Sequence, residues 1–342
     1  MARYILRRLA ALGLVLFGVT IVVFVISRVV PGDVALLWTG QRGEGASART
    51  LALIREQYHL DRPLLIQYVL YLRDLTRGDL GISVKSSRPV VAEMAERLPN
   101  TVELALSALL IAVPAGIGFG VLSATRRNSL VDHAGRILAL AGVCMPIFWL
   151  GLVFQMLLYY RLGLFPSPGG RLSNIIEIAA PVQRVTGFLL VDSLVTGNGR
   201  ALVDVLLHLV MPAATLSLPL IALISRMTRS SMLEVLSQDY IRTARAKGVP
   251  RRHVQYRHAL RNAMLPILTV VGLSFGALLT GSVVTELIYY WPGIGQYAVQ
   301  AILAYDGPVI MAFTIFAAVS FATANLAVDI LYAFFDPHIR YT

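Results

Sequence analysis

The sequence predicts an all-α integral membrane protein with six membrane-crossing helices, and three observations predict it. Of 342 residues, 56% are hydrophobic and only 14% charged, and the mean hydropathy is +0.69, more apolar than a soluble core needs. Six charge-free stretches punctuate the chain, each near the roughly 20 residues a helix needs to cross a bilayer. The formal charge then sorts to one side of the topology those stretches define.

The first stretch, residues 9 to 27, follows Arg3, Arg7 and Arg8. Its core is longer than the roughly 7 to 15 residues of a signal h-region, and Ser27 to Asp33 offers no small-x-small cleavage site, so it reads as a retained anchor. Residues 29 to 103 form a partly helical extracytoplasmic segment between the first two spans. In it Leu51, Ile54, Tyr58, Leu64, Leu65, Tyr68, Leu72 and Leu75 fall at helical steps, and Pro31, Pro63, Pro89 and Pro99 punctuate.

Residues 104 to 342 then hold five more spans, at 104 to 125, 137 to 160, 205 to 225, 262 to 285 and 307 to 328. Residues 161 to 204, with a Pro/Gly-rich start and an apolar patch too short to cross, read as a second external loop. Repeats of roughly 20 to 50 residues are not visible.

With the N-terminus inside, the inner segments carry all of the net +11 and the outer segments sum to zero. Short basic loops stay in the cytoplasm, so both termini are predicted there. Topology thereby accounts for the basic excess, and nucleic acid is not implied.

The search for chemistry yields no catalytic, metal or cofactor signature. Neither Lys85 nor Lys247 follows the Gly a P-loop requires. No His is followed by Glu, which excludes HExxH. Cys144 stands alone and reads as a small packing residue. His253 and His258, five residues apart, do not share a helix face.

The segment 226 to 261 is different. It carries nine basic and two acidic residues, with Met232, Leu233, Leu236, Tyr240 and Ala244 at helical steps opposite Gln238, Arg242 and Arg245. Gly248, before Val249 and Pro250, marks a helix stop; Arg251 to Arg261 reads as a polar, basic stretch, with Pro266 near the start of the next span. By periodicity alone this is an amphipathic helix on anionic lipid.

Its residues also resemble a known pattern. Tyr240-Ile-Arg-Thr-Ala-Arg-Ala-Lys-Gly248, with His258-Ala-Leu-Arg-Asn-Ala263 and Pro266, resembles the cytoplasmic EAA loop of ABC importer permeases in the version of the peptide/nickel branch. Arg242 stands where the general pattern has Glu. Arg28-Val-Val-Pro-Gly-Asp33, Arg77-Gly-Asp-Leu-Gly-Ile-Ser83, Leu98-Pro-Asn-Thr101, His208-Leu-Val-Met-Pro212, Tyr290-Trp-Pro-Gly-Ile-Gly295 and Asp336-Pro-His-Ile-Arg-Tyr341 resemble the same branch.

The resemblance implies a type I importer permease fold: a membrane pathway paired with a second homologous permease, two cytoplasmic ATP-binding subunits and an external binding protein or lipoprotein. It implies a coupling helix built from Asp239, Tyr240, Arg242, Thr243, Ala244, Arg245, Ala246, Lys247 and Gly248, with ATP hydrolysed by the partners and no cofactor on this chain. Di- or oligopeptides are the branch's common cargo; oligosaccharides, nickel complexes, glutathione or haem are alternatives. A secondary transporter or channel is a second class of reading and a membrane-bound enzyme a third.

Polar residues within spans tend to point into a bundle. His208, Thr215, Ser217, Thr269, Ser274, Thr280, Ser282, Asn325 and Asp329 are candidates for the translocation path, with interhelical hydrogen bonding as the alternative. Trp291, Pro292, Gly293 and Gly295 suggest a tight turn serving as an external gate. Pro114, Pro146, Pro212 and Pro219 are read as shaping helices.

Overall fold

The computed structural model describes residues 2 to 29, 33 to 38 and 48 to 335. Val30, Pro31 and Gly32 of one predicted motif, and the whole Asp336 to Tyr341 motif, lie outside them.

Helix α1 (Ala2–Val29) is followed by three short helices, α2 (Val34–Trp38), α3 (Ala48–Gln57) and α4 (Leu64–Thr76). Their apolar faces do not close a separate core; Trp38 and Ile54 are buried against Val23 of α1 and Met311 of the last helix. Arg28 ties this region down, donating from Nε to Gln67 Oε1 at 2.9 Å with its guanidinium 5.2 Å from the Phe24 ring centre and 5.1 Å from that of Trp38. Within the predicted apolar stripe, Leu64 and Leu65 are exposed instead, because α4 meets α1 through Tyr68, whose hydroxyl lies 3.0 Å from Thr20 Oγ1.

Helix α5 (Val90–Thr125) begins well before its charge-free stretch and carries Pro99 and Pro114 inside it. Charged residues had hidden its first turns: Glu93 and Glu103 are buried there with partners of their own. One face of α5 presents Ala108, Ala112, Gly116, Gly120 and Ala124 at every fourth position, and all are buried. Small residues let helices approach closely in lipid. A Cβ on Gly116 would lie 2.7 Å from Ile224 Cβ, and one on Gly120 would lie 2.7 Å from Ser225 O.

That partner is α10 (Gly199–Leu236), which runs parallel to α5. Between them come α6 (Leu130–Cys144), α7 (Ile147–Phe154), a π-helical turn Gln155–Arg161, and the short α8 (Asn174–Ala179) and α9 (Leu189–Val195). The stretch predicted as the third span, 137 to 160, lies in two helices bent by 101° at a break beside Pro146. Pro146 opens α7 in extended backbone, and proline disfavours the helical conformation at the residue before it, here Met145, which is extended. Cys144, at this break, is exposed rather than packed.

The chain continues through α11 (Asp239–Ala246), α12 (Arg251–His253), a π-helical turn Val254–Leu260 and α13 (Arg261–Gly281). Arg251 to Arg261, predicted to be a polar loop, is thus helical and runs directly into the span. Next are α14 (Val283–Ile288), α15 (Ile294–Leu303) and α16 (Gly307–Phe335). Gly276 of α13 packs on Ala324 and Phe321 of α16.

Among the described residues five helices are long and apolar enough to cross a membrane, and the bent pair, counted as one broken span, makes six. The C-terminal ends of α5 and α10, the start of α6 and α11 gather at one end of the bundle, here the basic end. Helices α8, α9, α14 and α15 lie towards the other, the loop end.

Candidate functional site

At the basic end, α11 projects from the bundle on a single apolar anchor. Ile241 is fully buried with Val121, Ala124, Met232, Val254, Ala259 and Ala263, the ends of α5, α10 and α13. The Tyr240 hydroxyl accepts a 2.8 Å hydrogen bond from Asn262 Nδ2. Of the residues predicted to couple, Ala244 is half-buried, while Asp239, Tyr240, Arg242, Thr243, Arg245, Ala246, Lys247 and Gly248 are exposed.

The predicted apolar stripe is corrected here. Met232, Leu233 and Leu236 belong to α10, and the break at Ser237 and Gln238 resets the helical phase, so that Ile241 becomes the anchor.

Gly248 ends α11 as its sequence predicts. Its φ is +75°, Gly248 N donates to Arg245 O at 3.0 Å and Val249 N to Ala244 O at 3.2 Å. This pair of bonds is the Schellman closure, which favours glycine in the left-handed region.

The ends of α5 and α10 that hold α11 are pinned by a buried carboxylate that sequence reading passed over. Asp132 accepts from Arg229 Nε at 2.7 Å and Nη2 at 2.9 Å, from Ser123 Oγ at 2.5 Å and from Asn128 N at 3.0 Å. Two unlike charges in separate basic loops were the available signal.

At the loop end, two motifs far apart in sequence meet. Trp291 is fully buried; its indole N–H donates to Asn100 O at 2.9 Å, and Asn100 Nδ2 donates to Pro292 O at 2.6 Å. Glu286 sits in the middle, fully buried, accepting from Thr101 Oγ1 at 2.8 Å, Ser282 Oγ at 2.9 Å and Gln296 N at 2.9 Å. The carboxyl thus occupies the N-terminus of α15, where exposed N–H groups favour an anion.

Gly293 has an extended φ of −95° and ψ of −178°, so conformational freedom is not its purpose. A Cβ there would meet the Glu286 carboxyl, and one on Gly295 would come within 2.9 Å of Glu286 Oε2 and 2.8 Å of Val283 Cα. The glycines make room for Glu286 rather than a turn. Arg171, from the loop before α8, pairs with Glu103 and Asn100 and lies 5.6 Å from the Trp291 ring centre. Asn100 lies in the Leu98 to Thr101 motif, but Glu103, Arg171 and Glu286 were not singled out from sequence, although an acid five residues before Trp291 was visible.

The polar candidates within the spans fall into two groups. Thr215 is fully buried and its hydroxyl lies 2.9 Å from the Tyr289 hydroxyl, which in turn donates to Gly151 O at 3.2 Å. His208 Nδ1 is 2.8 Å from Asp204 O, Ser217 donates to Ala214 O at 2.9 Å, and Ser282 belongs to the Glu286 cluster. Thr269 and Thr280 bond back to their own helix, while Ser274 is buried. Asn325 and Asp329 instead line a cavity of about 440 Å³ beside α1, with Asp329 Oδ2 3.1 Å from Arg8 Nε.

A bundle of apolar spans, clasped at one end and bearing an anchored but exposed helix at the other, defines a multi-pass membrane protein of the transporter class. Residues 1 to 105 match the N-terminal family of binding-protein-dependent transport system membrane components, and residues 116 to 341 match the family described as binding-protein-dependent transport system inner membrane component. The chain belongs to that family. It is 44% identical to the probable D,D-dipeptide transport system permease protein DdpB of Escherichia coli, over 97% of this chain and 96% of the relative. It is 41% identical to the dipeptide transport system permease protein DppB of Escherichia coli, over 100% and 99%. With the oligopeptide transport system permease protein AppB of Bacillus subtilis it shares 39% identity over the full length of both. These relatives make the chain an importer permease subunit.

Proposed function

We propose that this chain forms part of the membrane pathway for uptake of di- or oligopeptides, driven by ATP-binding partner subunits that grip α11. The observation that carries the coupling is the contrast within α11: one fully buried residue, Ile241, with half-buried Ala244 beside it, fixes it to three spans, and its remaining residues are exposed to meet a partner. Force on such a helix moves the ends of α5, α10 and α13 together, as a rigid-body switch requires. The peptide cargo is supported by the relatives named for dipeptide and oligopeptide transport.

In this reading the basic end is cytoplasmic, with both termini, because it carries the whole net charge. The loop end faces an external binding protein, and the Trp291 to Gly295 turn is the outer gate, braced by Glu286 and Thr101. A second, homologous permease completes the pathway. Of the polar span residues, Asn325 and Asp329 line the cavity beside α1.

The test is purification of the chain from membranes followed by uptake into proteoliposomes. A chain with a P-loop copurifies, and labelled dipeptide accumulates only with ATP. Gly248→Asp reaches the membrane but abolishes uptake. Full uptake by that variant, or uptake by the chain without any ATPase partner, defeats the proposal.

A further inference from the structure

We propose that the cavity beneath α11 binds the phosphodiester headgroup of an anionic phospholipid. Its effect on transport rests on the reading of α11 as the coupling helix, but the binding itself does not. The cavity, about 570 Å³, is walled by Arg127 from the turn after α5, Arg245 from α11 and Arg251 from α12, with Ser237, Leu236 and Val254 among its other surfaces.

No carboxylate lines it. Of the nearby acids, Asp132 is held by Arg229, Asp239 lies 3.7 Å from Arg242 on the exposed side of α11, and Glu234 is exposed on α10 outside the lining. Among the described residues the guanidinium groups of Arg127 and Arg245 have no hydrogen bond or ion pair, and Arg251 Nη2 donates to Thr125 O at 3.3 Å. Three guanidinium groups around one space repel each other until an anion joins them, and their planar forks match phosphate oxygens.

Two further features select a lipid over a bare ion. Leu236 and Val254 give the cavity an apolar side, which suits the glycerol and first acyl carbons. The cavity also includes Ala124 and Thr125, where the apolar span of α5 ends, the depth at which headgroups sit; basic pockets at span ends bind anionic headgroups. A headgroup held there bridges Arg245 of the moving helix to Arg127 in the turn after α5, so anionic lipid stiffens the joint through which force passes.

The experiment uses the assembled transporter in detergent, with lipid occupancy read directly by native mass spectrometry. Added phosphatidylglycerol is retained in preference to phosphatidylcholine, and Arg127→Gln/Arg251→Gln lowers its occupancy by roughly tenfold or more. Arg127→Lys/Arg251→Lys, which keeps the charge, retains a measurable part and controls for misfolding. Inorganic phosphate at millimolar concentration does not displace the lipid. Equal retention of phosphatidylcholine, displacement by phosphate alone, or unchanged phosphatidylglycerol occupancy in the Gln variant overturns the proposal. Loss of the ATPase subunits from the Gln variant with lipid occupancy intact also overturns it, assigning the cavity to a partner's carboxylate. Because mass rather than uptake is measured, failure of the peptide-transport reading leaves this result interpretable.

Discussion

Thr101 Oγ1 donates a 2.8 Å hydrogen bond to Oε1 of Glu286 across 185 residues of sequence, and Thr101 Oγ1 also accepts from Ile294 N at 2.9 Å. One hydroxyl therefore joins α5, α14 and the start of α15. The clasp holds the loop end of the bundle together without an ion pair to Glu286 among the described residues. Any motion that opens this end must either carry the three elements as a unit or break a buried, fully bonded carboxyl, which is costly.

Glu286→Ala leaves the donors of Thr101, Ser282 and Gln296 unpartnered in a buried site, at about 1 to 3 kcal/mol for a stranded group. Glu286→Gln keeps the shape and an acceptor, and is milder. Burial pushes the Glu286 carboxyl above the ordinary carboxylate range, opposed by the hydrogen bonds from Gln296 and Thr101. The folded state then holds this proton more tightly than the unfolded chain, so the stabilisation is present at acid pH and is lost as pH rises through the raised value. Melting of the detergent-purified protein across that range should show the wild type losing its advantage over Glu286→Gln as pH rises; a constant difference would contradict the assignment.

Gly293→Ala tests the reading that this glycine exists for Glu286. A Cβ there overlaps the carboxyl, so the cost is that of overpacking, about 1 to 3 kcal/mol. In the Glu286→Ala background the clash partner is gone, and the second substitution should add little. Additive losses in a double-mutant cycle would show that the two positions do not interact.

Much of this arrangement was legible in sequence, for identifiable reasons. Span positions followed from the absence of charge, and the motif ending at Thr101 and the one starting at Trp291 were both recognisable, although nothing in one dimension shows that they touch. Charge-free stretches mark the apolar part of a helix and not its ends. They missed the first turns of α5, where Glu93 is bonded by Tyr297 at 2.5 Å, and the last turns of α10, where Arg229 answers Asp132. Pro146 was legible as a residue that shapes its helix, but not the 101° size of the bend, because both halves are apolar. Ile241 was lost because one periodicity was drawn through the break at Ser237, and phase does not survive a change of helix.

Ile241→Ala removes the anchor of α11, a truncation at a fully buried site that costs about 2 to 5 kcal/mol locally. The prediction is loss of coupling: ATP hydrolysis by the purified assembly persists while peptide uptake falls. Arg242→Ala, on the exposed face with only a 3.7 Å pairing to Asp239, leaves the melting temperature nearly unchanged and acts, if at all, on partner binding. Identical effects of the two substitutions on both measurements would refute the division of α11 into an anchored and a presented face.

Gly248 separates conformation from space. Nothing lies within 4 Å of a Cβ built there, and the φ of +75° is the only obstacle. Alanine therefore strains the left-handed residue by about 1 to 2 kcal/mol without a clash. Asparagine, which enters this region more readily, should be better tolerated than alanine, and valine worse than either because β-branching is least compatible with positive φ. Uptake rates should follow the order Gly, Asn, Ala, Val while the amount of protein in the membrane stays level. If Asn and Val were equally active, the closure of α11 would not depend on backbone conformation, and the requirement for glycine would have to come from contact with a partner.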